Sequence, residues 1–206
     1  MRCALEAAPV RAAPEDDAEQ VTQALLGEPL RVEERLGGWA RIVTAYDYPG
    51  WIHETALEEG DGVLLQPLPE APLEVARSLL GAPYEWGGLS KQGIDCSGLV
   101  HLAHRLTGIL IPRDAWQQEE HGVLVPKGNA RPGDLATYGH GGRADHVAFW
   151  LGEGAILHST GRDRLGVVIE REPDELAATR RRFVRLPGAR VDGKEDAGRS
   201  QTGDSR

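Results

Sequence analysis

From Asp134 onward the chain falls into brief runs of β-branched and aromatic residues bounded by glycine or charge: "GDLATYG", "DHVAFWLG", "GAILHST", "GVVIERE" and "RRFVRLP". Runs this short, interrupted this regularly, read as strands joined by tight turns, hence as an antiparallel sheet. Upstream the period is helical. "PLEVARSLLG" sets Leu73, Ala76, Leu79 and Leu80 on one face with Gly81 as its stop, and residues 96–107 align Leu99, Leu102, Ala103 and Leu106 before Gly108. Helices followed by an antiparallel sheet predict an α+β domain over residues 73–187.

The first third has another rhythm. Leu30 and Val32, then Trp39, Ala40, Ile42 and Val43, form short apolar runs broken at Gly27, Gly37-Gly38 and Pro49-Gly50. This predicts a small all-β barrel of about five strands within residues 1–66, with a loose N-terminus. A barrel so small is expected to lean on its neighbour. Residues 67–72 read as a linker, and 188–206, nearly free of large apolar residues, as a disordered tail.

A formal net charge of -9 over 206 residues excludes nucleic acid as a natural partner and gives no attraction to anionic wall polymers or membranes. No stretch is long and apolar enough to span a bilayer. The N-terminus meets Glu15, Asp16 and Asp17 before any apolar core, so no secretory signal is visible and a soluble cytoplasmic protein is expected. Cys3 and Cys96 make neither a disulfide framework nor a metal motif, and with Cys3 in the loose terminus no bridge is expected. No metal or cofactor is implied, and the oligomeric state is not legible.

Cys96 opens a helix, where free backbone N–H groups and the helix dipole favour a thiolate. Asp95 or Ser97 can cap that helix end. A nucleophilic cysteine also needs a base, itself held by a polar group. Of the seven histidines, His146 opens one strong strand and His158 closes the next, across a turn between Gly152 and Gly154. Antiparallel pairing can set those rings side by side, facing the cysteine helix. His101 and His104 lie on the cysteine's own helix and turn away, while His121 and His140 fall in loops.

"PYEWGG", "DCSGLV", "IPRDAWQQ", "RPGDLATY", "DHVAFWLG" and "ILHST" occur in an order and spacing that resembles the NlpC-type cell-wall cysteine peptidases. The resemblance implies a papain-like fold, with Cys96 as nucleophile, His146 as base, His158 as the group orienting it, and Tyr84 helping to bind the oxyanion. "VTQALLGEPLRVEERLGGWARIVTAYDYPGWI" resembles the bacterial Src-homology-3-like domain preceding the peptidase in γ-D-glutamyl-L-diamino acid endopeptidases. That implies a peptidoglycan-derived peptide as substrate, with a free N-terminal L-Ala. Its amine would be read by Asp95 and Ser97, with a barrel tyrosine (Tyr48 or Tyr46) and a barrel acid, Glu19.

Plainer readings stand beside these. Arg113 has no catalytic role assigned, Asp134 reads as a turn residue, Trp39 and Trp51 as barrel core, and Arg180–Arg182 as a solvated face. An endopeptidase acting on intact peptidoglycan and an inactive peptide-binding module are the competing functions.

Overall fold

The computed structural model describes residues 1–63 and 66–186. The expected tail at 188–206 therefore lies outside the described residues. The N-terminal part comprises β1 (Arg2–Cys3), β2 (Ala7–Arg11), β3 (Gln20–Leu25), β4 (Arg31–Leu36), β5 (Trp39–Val43), β6 (Pro49–His53) and β7 (Leu57–Glu58). Five of these form an antiparallel sheet in the order β3-β2-β6-β5-β4, and β1 pairs with β7. The β4-β5 hairpin turns on Gly37 and Gly38, both at positive φ (58° and 88°), as a two-residue turn matched to strand twist demands.

The N-terminus is not loose. Cys3 is fully buried and unbridged, packed with Ala8, Val10, Ala24, Leu30, Ile42 and Ile52, because pairing of β1 with β7 draws it into the barrel core. Trp39 is buried against His53, with ring centroids 4.1 Å apart. Trp51, read as core, is only half-buried, because the core-facing position of β6 belongs to its neighbour Ile52.

The second part runs α1 (Pro72–Ser78), β8 (Leu89–Ser90), β9 (Gly93–Ile94), α2 (Cys96–Leu106), α3 (Ala115–His121), β10 (Val123–Val125), β11 (Leu135–Tyr138), β12 (His146–Gly152), β13 (Ala155–Thr160), β14 (Gly166–Arg171), α4 (Asp174–Ala177) and β15 (Arg180–Arg185). Its six-stranded antiparallel sheet has the order β10-β15-β11-β12-β13-β14, with α2 packed against β12 and β13. In α1 the buried face is Pro72, Val75 and Ala76, and of the two leucines just past the helix Leu79 is buried while Leu80 is 45% exposed. Arg180 and Arg181 are not a solvated face, since they pair with Glu172 and Glu119. Asp134 does cap a turn through Arg131 N–H, and it also holds Arg185 at 2.6 Å.

The barrel leans on this domain through buried polar bonds. Arg105 Nη1 donates to Glu28 Oε2 at 3.0 Å, Leu89 N–H to Gln23 Oε1 at 2.8 Å, and Arg113 Nε to Thr22 Oγ1 at 3.1 Å. No helix among the described residues is long and apolar enough to cross a membrane.

Inside α2, His101 and His104 are almost wholly buried, and burial lowers both pKa values, that of His104 to about 4. The folded state refuses protons that the unfolded chain accepts below its ordinary value of 6.5. Stability is therefore full above that pH and falls as pH drops toward 4, by about 1.4 kcal/mol per unit for each histidine. Glu28 and Asp114, whose carboxyls burial raises, titrate in the opposite sense and soften the loss. Urea midpoints at pH 7 and pH 5 should differ clearly. Equal midpoints, or a higher one at pH 5, would contradict neutral buried histidines.

Candidate active site

Asp95 builds the nucleophile end of α2. Its backbone is extended, and its Oδ1 accepts the Gly98 N–H at 2.6 Å, which caps the helix and fixes Cys96 in the first turn. The Cys96 thiol lies against the backbone of Ser97 and of Val147, the residue that follows His146. Gly98 has no room for a side chain, since a Cβ there would meet Gly88 O, Asp95 Oδ1 and Arg113.

Sheet pairing brings the two histidines together. Phe149 faces Leu157 and Trp150 faces Ile156, so continuing the register sets His158 opposite Ala148 and diagonal to His146 on one face. His146 Nε2 lies 2.8 Å from His158 Nδ1. His158 Nε2 in turn lies 2.9 Å from Glu170 Oε1 on β14, a contact the sequence reading missed. Its signal was present, because the same 12-residue step that separates the two histidines also separates His158 from Glu170. The Tyr84 ring borders Gly161, and burial, with the neighbouring Cys96 and Asp95, raises its phenol to about 12, so it stays a hydrogen-bond donor.

The thiolate that the helix dipole favours is opposed by burial. Burial pushes the Cys96 thiol up to about 12, and the Asp95 charge adds to this against smaller backbone and Arg113 contributions. Burial likewise takes His146 down to about 3. Burial thus favours the neutral thiol and the neutral imidazole, and if these two groups react together a proton has to move as the sulfur attacks. Iodoacetamide labelling of Cys96 should accordingly rise about tenfold per pH unit through pH 8. A plateau already reached near pH 6 would contradict a neutral pair.

Asp95 and Ser97, expected to read a substrate amine, line the same cavity as Cys96 and are already engaged by other partners. Both Asp95 oxygens are committed, Oδ2 to Gly87 N–H at 2.9 Å and Arg113 Nη2 at 2.7 Å, and Oδ1 to Gly98 N–H and Arg113 Nη1. Ser97 Oγ also accepts from Arg113 Nη1, at 2.8 Å. Arg113, given no role from sequence, is 1% exposed and anchors both. Tyr46 turns inward, with its hydroxyl 3.0 Å from Thr22 Oγ1 and its ring against His101.

Tyr48 is the barrel tyrosine that faces the cleft. Its hydroxyl donates to Asp114, 3.0 and 3.2 Å from the two carboxylate oxygens. Asp114, unassigned from sequence, has its carboxyl raised by burial, with Tyr48 and Arg113 opposing. Glu19 accepts the Trp86 indole N–H at 2.8 Å. Glu19, Tyr48, Asp114, Cys96 and Arg143 share one cavity of about 330 Å3 between barrel and peptidase-like domain. No cluster of three or more metal-binding side chains occurs among the described residues.

Residues 81–180 match the NlpC/P60 family, and residues 10–57 match the bacterial dipeptidyl-peptidase Sh3 domain. A gamma-D-glutamyl-L-lysine dipeptidyl-peptidase of Bacillus cereus is 36% identical over 118 residues, which is 52% of this chain and 35% of the relative. Peptidoglycan endopeptidase RipB of Mycobacterium tuberculosis is 42% identical over 99 residues, 42% of this chain and 41% of the relative. The chain thus spans less than half the length of these relatives. The crystal structure of an NlpC/P60 family protein from Bacillus cereus shares the fold over 90% of this chain and 62% of that one, at a TM-score of 0.55 and 24% identity. The chain therefore consists of a bacterial SH3 domain followed by a domain of the NlpC/P60 family.

Proposed function

We propose that this protein is a cysteine peptidase that hydrolyses the γ-D-Glu–diamino acid bond of peptidoglycan-derived peptides with a free N-terminal L-Ala. The observation that carries this reading is the pair of carboxylates, Glu19 and Asp114, lining the same cavity as Cys96. Two carboxylates in one cavity suit an ammonium, and a neutral or extended N-terminus would forgo that charge pairing. Arg143, lining the same cavity, supplies a cation for the α-carboxylate that a γ-linked D-Glu leaves free. The relative named for the γ-D-glutamyl-L-lysine bond agrees with this substrate class.

In the proposed reaction, Cys96 Sγ attacks the γ-carbonyl carbon of D-Glu while its proton passes to His146. The Tyr84 hydroxyl and backbone N–H groups in the first turn of α2 stabilise the oxyanion. His146 then gives the proton to the leaving amine of the diamino acid. Water, deprotonated by His146, cleaves the thioester and releases L-Ala-γ-D-Glu. In intact peptidoglycan the L-Ala amine is joined to muramic acid, so this selectivity favours released peptides and a role in recycling them. No metal or cofactor takes part in these steps.

The test is incubation with L-Ala-γ-D-Glu-L-Lys and its N-acetylated form. The free peptide should be cleaved at least about a hundredfold faster, because acylation removes the ammonium that would pair with Glu19 and Asp114. Equal turnover would contradict the free-amine pocket and favour an endopeptidase of intact wall. No turnover of either would leave the inactive peptide-binding module.

A further inference from the structure

The chain of contacts that begins at His146 continues past His158. Pairing of β13 with β14 sets His158 opposite Val168, so Glu170, two residues on, lies diagonal to it on the same face. Glu170 accepts from His158 Nε2 at 2.9 Å, and both of its oxygens are held by Arg162 Nη2, at 2.7 and 2.5 Å.

These contacts decide where the protons sit. An ionised carboxylate only accepts, so the hydrogen in the Glu170 contact belongs to His158 Nε2. A neutral His158 then offers Nδ1 as an acceptor, and the 2.8 Å contact to it must carry the hydrogen of His146 Nε2. The remaining nitrogen of His146, Nδ1, is left unprotonated as the base for the thiol. Beside this row lie Tyr138, whose ring packs 5.7 Å from His146 and whose hydroxyl donates to Glu172, Asp95, whose charge acts on His146, and His140, Asp145 and Glu175, which line the same cavity as the two histidines.

The backbone that presents Arg162 is itself unusual. Asp163 and Arg164, next along the turn, both have left-handed φ angles of 49° and 59°, a conformation that non-glycine residues rarely adopt. Such geometry persists where the surroundings impose it, commonly beside functional groups. The Arg162–Glu170 pair is partly exposed, with side chains 38% and 23% accessible, so it adds little to stability.

We propose that Glu170, clamped by Arg162, is a positioning residue: it fixes the Nε2–H tautomer of His158 and, through it, the Nδ1 base of His146. This rests on reading Cys96 and His146 as the reacting pair. When Cys96 loses its proton to His146 Nδ1, the imidazolium keeps its Nε2 hydrogen bond to His158, and His158 keeps its own to Glu170. No proton leaves the row.

The test uses the full chain labelled with 15N-histidine, together with kinetics on L-Ala-γ-D-Glu-L-Lys. Wild type should show His158 as a single Nε2–H tautomer. Glu170→Ala should mix the tautomers and lower kcat about ten- to a hundredfold with KM nearly unchanged. Glu170→Gln, whose amide oxygen still accepts, should keep the tautomer and recover most of kcat. Arg162→Met, which leaves Glu170 unclamped, should give a smaller loss in the same direction and carries the test if Glu170→Ala does not fold. Wild-type kcat in Glu170→Ala, or a loss of kcat with the tautomer unchanged, would overturn the proposal. A wild type inactive on the peptide would contradict the proposed function instead, while the NMR arm would still decide the tautomer.

Discussion

Replacing His146 with alanine is expected to lower kcat by about 10^4-fold or more, with KM changed only several-fold. The size follows from the resting state of the pair. Burial pushes the thiol up and the imidazole down, which favours the neutral forms of both before substrate binds. In the proposed mechanism His146 collects the proton during attack and delivers it to the leaving amine, so removing it would disable both steps. The cavity proposed to hold the peptide lies mainly on other elements, namely the barrel, the first turn of α2 and the start of α3, which is why KM should be spared. Product release followed by chromatography measures the effect. A loss of less than tenfold would mean that another group serves as base.

Arg113→Met should have the largest effect on stability, about 3–5 kcal/mol, because it strands a buried carboxylate. Arg113 is the hub between the two domains. It bonds Asp95 and Ser97 at the head of α2, the Gly88 carbonyl, and Thr22 on barrel strand β3. Without it, Asp95 loses its ionic partner and the turn holding Cys96 loses its anchor, so activity should fall with stability. Combining Arg113→Met with Asp95→Asn removes the stranded charge, and the double variant should be more stable than Arg113→Met alone. Urea unfolding of both single variants and the double variant gives the coupling energy. A fully additive cycle would contradict a direct buried pair.

The elements that repeat a local pattern were legible in the sequence. Glycine-bounded runs located β11 to β15, and the 3.6-residue period located α2 to within a residue of its end. The face of His146 and His158 followed from strand alternation alone. What escaped depends on contacts between distant segments. Arg113 and Asp114 sit in a short loop before α3, and only docking of the barrel reveals that one faces inward to Asp95 and the other meets Tyr48. The same docking distinguishes Tyr46 from Tyr48, two residues apart in a turn. A helix N-terminus at Cys96 is visible in sequence, whereas the burial that pushes its thiol up is not. Cys3 was misjudged because its partner strand β7 lies more than fifty residues away. Domains as small as this barrel often secure their ends by such closures.

The central claim is that Cys96 is a nucleophile set in a pocket built for a free amine. An acyloxymethyl ketone carrying L-Ala-γ-D-Glu tests both parts at once, through the rate and site of labelling read by mass spectrometry. Modification should be saturable and confined to Cys96, and slowed at least about a hundredfold when the reagent's amine is acetylated. Labelling that does not saturate, or that proceeds equally fast with the acetylated reagent, would contradict the claim.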